Sequence, residues 1–283
     1  MLRWTARPRL RRSALVCAFE GWNDAGDASS YAARYLVERW DLRPFADLDP
    51  EDYFDFTTTR PRVHLDDGHQ REIVWPANEL FAGSIPGTDR DVIILTGTEP
   101  QLKWRTFSEQ IVEVATTFEV ELVVTLGALL AEVPHTRPVS VIGTAVDQGL
   151  IDRLGLARSS YEGPTGIVGV LQDACARAGV PAASLWAAVP TYVPGAPSPK
   201  AALALVERTC TLLDASVAAT DLEIATAAYE RQIDELVDED DETAEYVAGL
   251  EARYDDDEID EELTDVSSLV EEVERFLRST GDN

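Results

Sequence analysis

The chain is poor in the side chains that most often do chemistry. Among 283 residues there are three histidines (His64, His69, His135), three cysteines (Cys17, Cys175, Cys210) and, of 24 basic residues, only two lysines (Lys103, Lys200). His64 and His69 stand five apart with no cysteine or further close histidine to complete a tetrahedral set, so no metal is expected. The cysteines are odd in number, widely spaced and set in apolar patterns, which reads as reduced, buried thiols rather than a disulfide frame. Two lysines leave Schiff-base chemistry few candidates. The common catalytic signatures are missing too: there is no GxSxG elbow, GxGxxG, P-loop, HExxH or CxxC, and no cofactor is expected.

Long apolar runs are also lacking. None approaches the ~18 residues of a membrane span. Five arginines fall among the first twelve residues, but the apolar run after them, Ala14 to Phe19, is short and ends in Glu20 without a cleavage pattern, so a cytoplasmic chain is expected. Positive charge is scarce: the net charge is −28, which excludes nucleic acid and anionic membranes as partners, because such binding depends on Lys and Arg neutralising phosphate. The imbalance is local. Residues 221–283 hold 24 acids against four basic residues, a net of −20, leaving −8 for the first 220. This divides the chain into a core domain, 1–219, and an acidic helical appendage, 220–283, packing on the core or on a neighbouring subunit.

What the chain does have begins at Ser13. The run Ala14-Leu15-Val16-Cys17-Ala18-Phe19, the turn Glu20-Gly21-Trp22-Asn23-Asp24-Ala25-Gly26-Asp27 and the amphipathic stretch to Trp40 predict a buried strand, a glycine turn and a helix. Such turns cradle anions on converging N–H groups and the helix dipole. Here Glu20, Asp24 and Asp27 crowd that point and no Lys or Arg lies between Arg12 and Arg34, so an anion is repelled and the corner is assigned to protein contacts.

Short alternating runs at Asp52–Phe56, Arg62–Leu65, Arg71–Trp75 and Leu80–Ile85 predict strands joined by turns such as Asp66-Asp67-Gly68. Buried strands follow at Asp91–Thr96 and Glu121–Leu126 around a helix at Thr106–Phe118, a parallel crossover unit. Val139–Val146 and Ala183–Val189 predict further strands, and Pro164–Ala178 and Pro199–Leu213 helices. The predicted fold is α/β, a mostly parallel mixed sheet sandwiched between helices. From Thr220 only helices are expected. Thr220 and Glu223 suggest a capping box, and apolar stripes recur at Leu222, Ala225, Tyr229, Ile233, Leu236 and Val237, at Tyr246, Val247, Leu250 and Tyr254, and at Leu269, Val270, Val273, Phe276 and Leu277. The acid run Asp255–Glu262 reads as a solvated turn without the glycine of a calcium loop.

Two loops add chemistry. Val133-Pro134-His135-Thr136-Arg137-Pro138 follows a buried strand, where clefts of open α/β sheets lie, and either lines a cleft or pairs His135 and Arg137 with local carboxylates. Tyr161-Glu162-Gly163-Pro164-Thr165-Gly166 offers Glu162 and Tyr161 to the same cleft, a plausible acid/base pairing with His135. Its blander reading is packing, with Pro164 opening a helix and Gly163, Gly166 and Gly169 admitting another backbone.

Six segments in one order carry a family resemblance: Phe19 to Ala28, the Gly97-Thr98-Glu99-Pro100 turn with Trp104, Gly127-Ala128-Leu129, Pro134 to Pro138, Ser160 to Gly166, and Ser198-Pro199-Lys200-Ala201-Ala202. Together they resemble the proteasome assembly chaperone 2 family, in its actinobacterial branch, from about Leu15 to Arg278. The resemblance implies a three-layer α/β/α sandwich related in shape to purine nucleoside phosphorylases and peptidyl-tRNA hydrolases. It also implies a helical appendage, self-association with a trimer among the states, and proteasome-related protein partners. Archaeal members dock through a C-terminal hydrophobic-Tyr-any-residue tail, whereas this sequence closes on Ser279-Thr280-Gly281-Asp282-Asn283, so tail docking is not expected. The leading expectation is a non-enzymatic assembly protein acting through Gly21, Trp22, Asn23, Asp24, Gly26, Asp27, His135, Arg137, Tyr161, Glu162 and Gly163. The alternative is a small-ligand binder or a hydrolase- or phosphorylase-like enzyme in the same cleft, although phosphorylase chemistry would have Arg137 as its one obvious base.

Overall fold

In the computed structural model, which describes residues 1–66 and 70–261, one eight-stranded mixed sheet runs through the body between two helical layers. Its centre is parallel, in the order β7 (Asp91–Thr98), β2 (Ala14–Glu20), β8 (Leu122–Ala131), β10 (Ala182–Pro190). These four are the near-continuous apolar runs of the sequence, as expected of strands covered on both faces. Antiparallel strands flank them: β6 (Asn78–Ser84), β3 (Arg43–Leu48) and β1 (Leu2–Trp4) on one side, β9 (Val141–Ala145) on the other.

The alternation along β2 separates the two cores. Ala14, Val16 and Ala18 point to the layer of α1 (Ala28–Arg39) and α6 (Pro199–Leu212), while Leu15, Cys17 and Phe19 point to α3 (Trp104–Thr117) and α5 (Ile167–Ala178). In the second core Phe107 is fully buried edge-on to Phe19 and Tyr53, with centroids 5.7 and 5.2 Å away. All three cysteines are buried free thiols, and burial pushes Cys175 and Cys210 up to about 11, which leaves them inert at neutral pH.

Several elements depart from the sequence reading. Residues 52–56 are not a strand: Pro50–Tyr53 forms a helical turn, α2, capped by Asp49. The strands β4 (Arg62–Asp66) and β5 (Gln70–Val74) pair only with each other, leaving Val63, Leu65 and Ile73 exposed, and the turn predicted between them lies outside the described residues, as does His69. A short helix, α4 (Gln148–Leu154), was not anticipated; its start is capped by Asp147. The capping box at Thr220 does not form, because Ala219 holds the cap position and α7 (Thr220–Asp238) makes no side-chain cap bond. The acid run is not a turn either: residues 255–261 continue α8 (Asp241–Glu261). The stripe at Leu269–Leu277 lies outside the described residues.

The two appendage helices lie on the body of the same chain. Tyr229, Ile233, Val237 and Val247 form an apolar cluster over Tyr192 and Val193. Leu236, predicted in the buried stripe, is instead 59% exposed. Phe107→Ala is expected to lower stability by about 3–5 kcal/mol in urea unfolding, and Leu236→Ala to stay within about 0.5 kcal/mol.

Candidate functional site

The opening turn folds back on the helix that follows it. Gly21 adopts φ +135° and Gly26 φ +59°, and a side chain on Gly26 would strike Ser198, whose N–H donates to the Gly26 carbonyl at 2.7 Å. The reversal carries Asp24 onto the start of α1. Its Oδ1 accepts from Ser29 N (2.7 Å), Ser29 Oγ (2.6 Å) and Ser30 N (3.2 Å), with the residue 5% exposed. The position a bound anion would take at this helix start is thus filled by the protein's own carboxylate. Burial pushes the Asp24 carboxyl above its ordinary range, and the serine hydrogen bonds pull it partly back. Its Oδ2 is buried without a partner among the described residues.

The other two acids of the turn have separate fates. Glu20 pairs with Arg34 at 2.5 Å on the surface, so the arginine that lies fourteen residues on compensates a charge the sequence left open. Asp27 is exposed, in a left-handed conformation ahead of α1.

A second helix start is closed in the same way. Glu99, just past the end of β7, accepts at Oε1 from Ile167 N (2.9 Å), the first residue of α5, and from Asn23 Nδ2 (3.0 Å). Asn23 in turn receives Ala128 N at its carbonyl, 2.8 Å, tying the turn to β8. Gly166 must lack a side chain because its Cβ would sit 2.2 Å from Asn23 Nδ2. The helix therefore starts at Ile167 and Pro164 lies before it, not at its first position. The three glycines also admit side chains rather than a backbone: Gly163 lies under the Tyr161 hydroxyl and Gly169 beside Thr165. Nothing in the sequence marks Glu99 as a cap except its place beyond the carboxyl end of a parallel strand.

Two hollows open at these strand ends. One, of about 280 Å³, is lined by the turn from Gly21 to Gly26 with Ala128 to Leu130, Trp186, Pro194 and Gly195. The other, of about 330 Å³, lies between α5 and the β9–β10 edge and takes in Trp22, Asn23, Tyr161, Pro164, Gln172 and Ser184. Trp22, Asn23, Leu129 and Trp186 border both, and Trp22 is half exposed. Tyr161 donates to the Pro164 carbonyl at 2.7 Å. Glu162 and Gly163 are exposed and border neither hollow.

The third predicted loop is not part of this region. His135 is buried beneath α7, its Nε2 2.9 Å from Asp234 Oδ1 and its Nδ1 2.7 Å from the Tyr192 hydroxyl, which also accepts from His135 N. Arg137 holds Asp255 with two bonds, 2.7 and 2.8 Å, and Glu251 at 3.3 Å. Lys200 bridges the His135 carbonyl (2.5 Å) and Glu230 (2.6 Å). These residues clamp the appendage, and the anticipated pairing of His135 with Glu162 is not made. Among the described residues no three His, Cys, Asp or Glu side chains gather as a metal set, and no helix is long and apolar enough to cross a membrane.

A family model described as the PAC2 family matches residues 18–237. The chain belongs to the PAC2 family. A PAC2 family protein from Streptomyces avermitilis is 48% identical, with a TM-score of 0.78 over 83% of this chain and 99% of that one. A proteasome-assembly chaperone homologue from Mycobacterium tuberculosis is 47% identical, with a TM-score of 0.76 over 83% of this chain and 99% of that one. A second M. tuberculosis protein, of unknown function, is 28% identical with a TM-score of 0.86 over 100% of this chain and 97% of that one. No curated protein matched the sequence.

In this PAC2 chain the cap at Asp24 is open to direct test. A carboxyl raised in the folded state favours folding when protonated, and that contribution is lost as pH rises from the ordinary carboxylate range through the raised value. Asp24→Asn, which keeps an accepting oxygen, is expected to gain on the wild type in denaturant stability as pH rises above the ordinary carboxylate range. Asp24→Ala, which loses the cap, is expected to cost about 1–2 kcal/mol at neutral pH.

Proposed function

We propose that this chain is a non-enzymatic protein-interaction or assembly protein that works by self-association, as a trimer for example, and by contact with proteasome-related subunits in the cytoplasm. The observation that carries this reading is the double closure of the helix starts: Asp24 on α1 and Glu99 on α5 occupy the places where a phosphate or a developing oxyanion would be held. The enzymatic reading also loses its acid/base pair, since His135 lies under α7. What remains at the strand ends is a rim with a half-exposed tryptophan, the kind of residue that dominates protein contacts.

The division into a core of residues 1–219 and an appendage of 220–283 fits this role. An appendage of net charge −20 steers the chain toward basic partner surfaces, through an attraction that salt weakens. The M. tuberculosis relative named as a proteasome-assembly chaperone homologue supports the partner class.

The test is affinity capture from native cytoplasm at low salt, with light scattering of the purified chain alongside. Proteasome α subunits or further copies of the chain are expected to co-purify, and Trp22→Ala is expected to weaken that capture about tenfold or more. Unchanged oligomer mass and unchanged capture in Trp22→Ala would remove the role of the rim. A turnover abolished by Glu162→Gln, with melting unaltered, would replace the proposal by the enzymatic one.

A further inference from the structure

The hollow of about 330 Å³ beside α5 has a floor whose hydrogen bonding is unfinished. Gln172 donates from Nε2 to Thr125 Oγ1 (2.9 Å) and to the Ala183 carbonyl (2.8 Å). A carbonyl can only accept, so the amide orientation is fixed, both of its hydrogens are engaged, and Oε1 is left as an acceptor. Thr125 receives one of those hydrogens and passes its own to Ser184 Oγ at 2.9 Å. The relay then ends: among the described residues the Ser184 hydroxyl hydrogen meets no acceptor and Gln172 Oε1 meets no donor.

Gln172 and Ser184 both line the hollow, and both are bonded to the same threonine oxygen. The floor thus presents an acceptor, Gln172 Oε1, beside a hydroxyl with a hydrogen to give, Ser184 Oγ. Above it stand two indoles, Trp22 at the rim and Trp186, whose ring lies on Gly127 because that residue has no Cβ to displace it. The remaining wall alternates aliphatic residues such as Ile142 and Val168 with polar ones, Thr144, Arg158, Ser159 and Thr165 among them. Polar groups left unmatched in such a setting are costly, and a ligand that completes them is selected over one that does not.

We propose that this hollow binds a small, flat molecule bearing a cyclic-amide edge, whose N–H meets Gln172 Oε1 and whose carbonyl accepts from Ser184. The volume sits at the small end of ligand sites, the size of a one- or two-ring compound. This site goes beyond the assembly role but shares Trp22 with its rim; neither Asp24 nor the appendage takes part in it.

The probe is 2-quinolinone, titrated into the full chain and followed by tryptophan fluorescence and by shifts of the Trp22 and Trp186 indole N–H signals. Naphthalene, which has the rings without the edge, and N-methyl-2-quinolinone, which has the carbonyl without the donor, are the comparators. Saturable binding of 2-quinolinone is expected, with both comparators about tenfold weaker. Gln172→Met is expected to weaken 2-quinolinone about tenfold and leave naphthalene unchanged, and Ser184→Ala gives the same reading if Gln172→Met does not fold. The proposal is overturned if 2-quinolinone does not saturate, if the three compounds bind alike to the wild type, or if the folded variants bind 2-quinolinone as the wild type does. Binding that shifts neither indole signal places the site elsewhere and also overturns it.

Discussion

The constraint on which the strand-end region depends is the need of a helix start for negative charge. Two helices, α1 and α5, begin at the carboxyl ends of the central parallel strands, and their first N–H groups have no partner within the helix. In many α/β proteins a ligand answers that need. Here Asp24 and Glu99 answer it from within the chain. Asn23 joins the two, through its side chain to Glu99 and through its carbonyl to β8, so the turn, the helix starts and the sheet form one connected polar lattice. The arrangement converts what would be an anion cradle into a corner whose helix starts are capped from within the chain, and a half-exposed tryptophan stands at its rim.

A second principle governs the far end of the chain. The appendage carries a charge that would drive it into solvent, yet α7 and α8 lie on the body, held by an apolar cluster and by cations of the body placed against their acids. Lys200, one of only two lysines, bridges to Glu230, and Arg137 grips Asp255. His135 is buried with its ring nitrogens matched to Tyr192 and Asp234. The partly exposed Arg137–Asp255 pair contributes little by itself. The apolar cluster of Tyr229, Ile233, Val237 and Val247 supplies the larger share, and the ion pairs set its register.

The parallel centre of the sheet was legible in the sequence because its strands are continuous apolar runs and α3, α5 and α6 keep a clean 3.6-residue period. Of the antiparallel flank, β6 and β9 were legible as short apolar runs, but β3 and β1 were not. Arg43-Pro44-Phe45-Ala46-Asp47-Leu48 mixes polar residues and a proline, as edge-side strands do, and Leu2–Trp4 hides among arginines. At the site, the sequence revealed the crowding of carboxylates but not its meaning, since charge is visible in a sequence whereas the point at which a helix starts is not. His135 and Arg137 drew attention for sound reasons of chemistry. Their partners, Asp234 and Asp255, are 99 and 118 residues away along the chain, beyond the reach of any local pattern. The polar relay under α5 was invisible for the same reason, because Thr125, Gln172 and Ser184 come from three elements.

The contact of Trp186 with Gly127 has a consequence for how these sequences drift. A Cβ at residue 127 would fall 2.6 Å from the indole ring, so neighbouring strands carry a matched pair in which one member is large only because the other is the smallest there is. Residue 127 cannot enlarge while the indole stays where it is. A lineage that enlarges residue 127 must shrink residue 186 at the same step, and in doing so it merges two separate hollows into one.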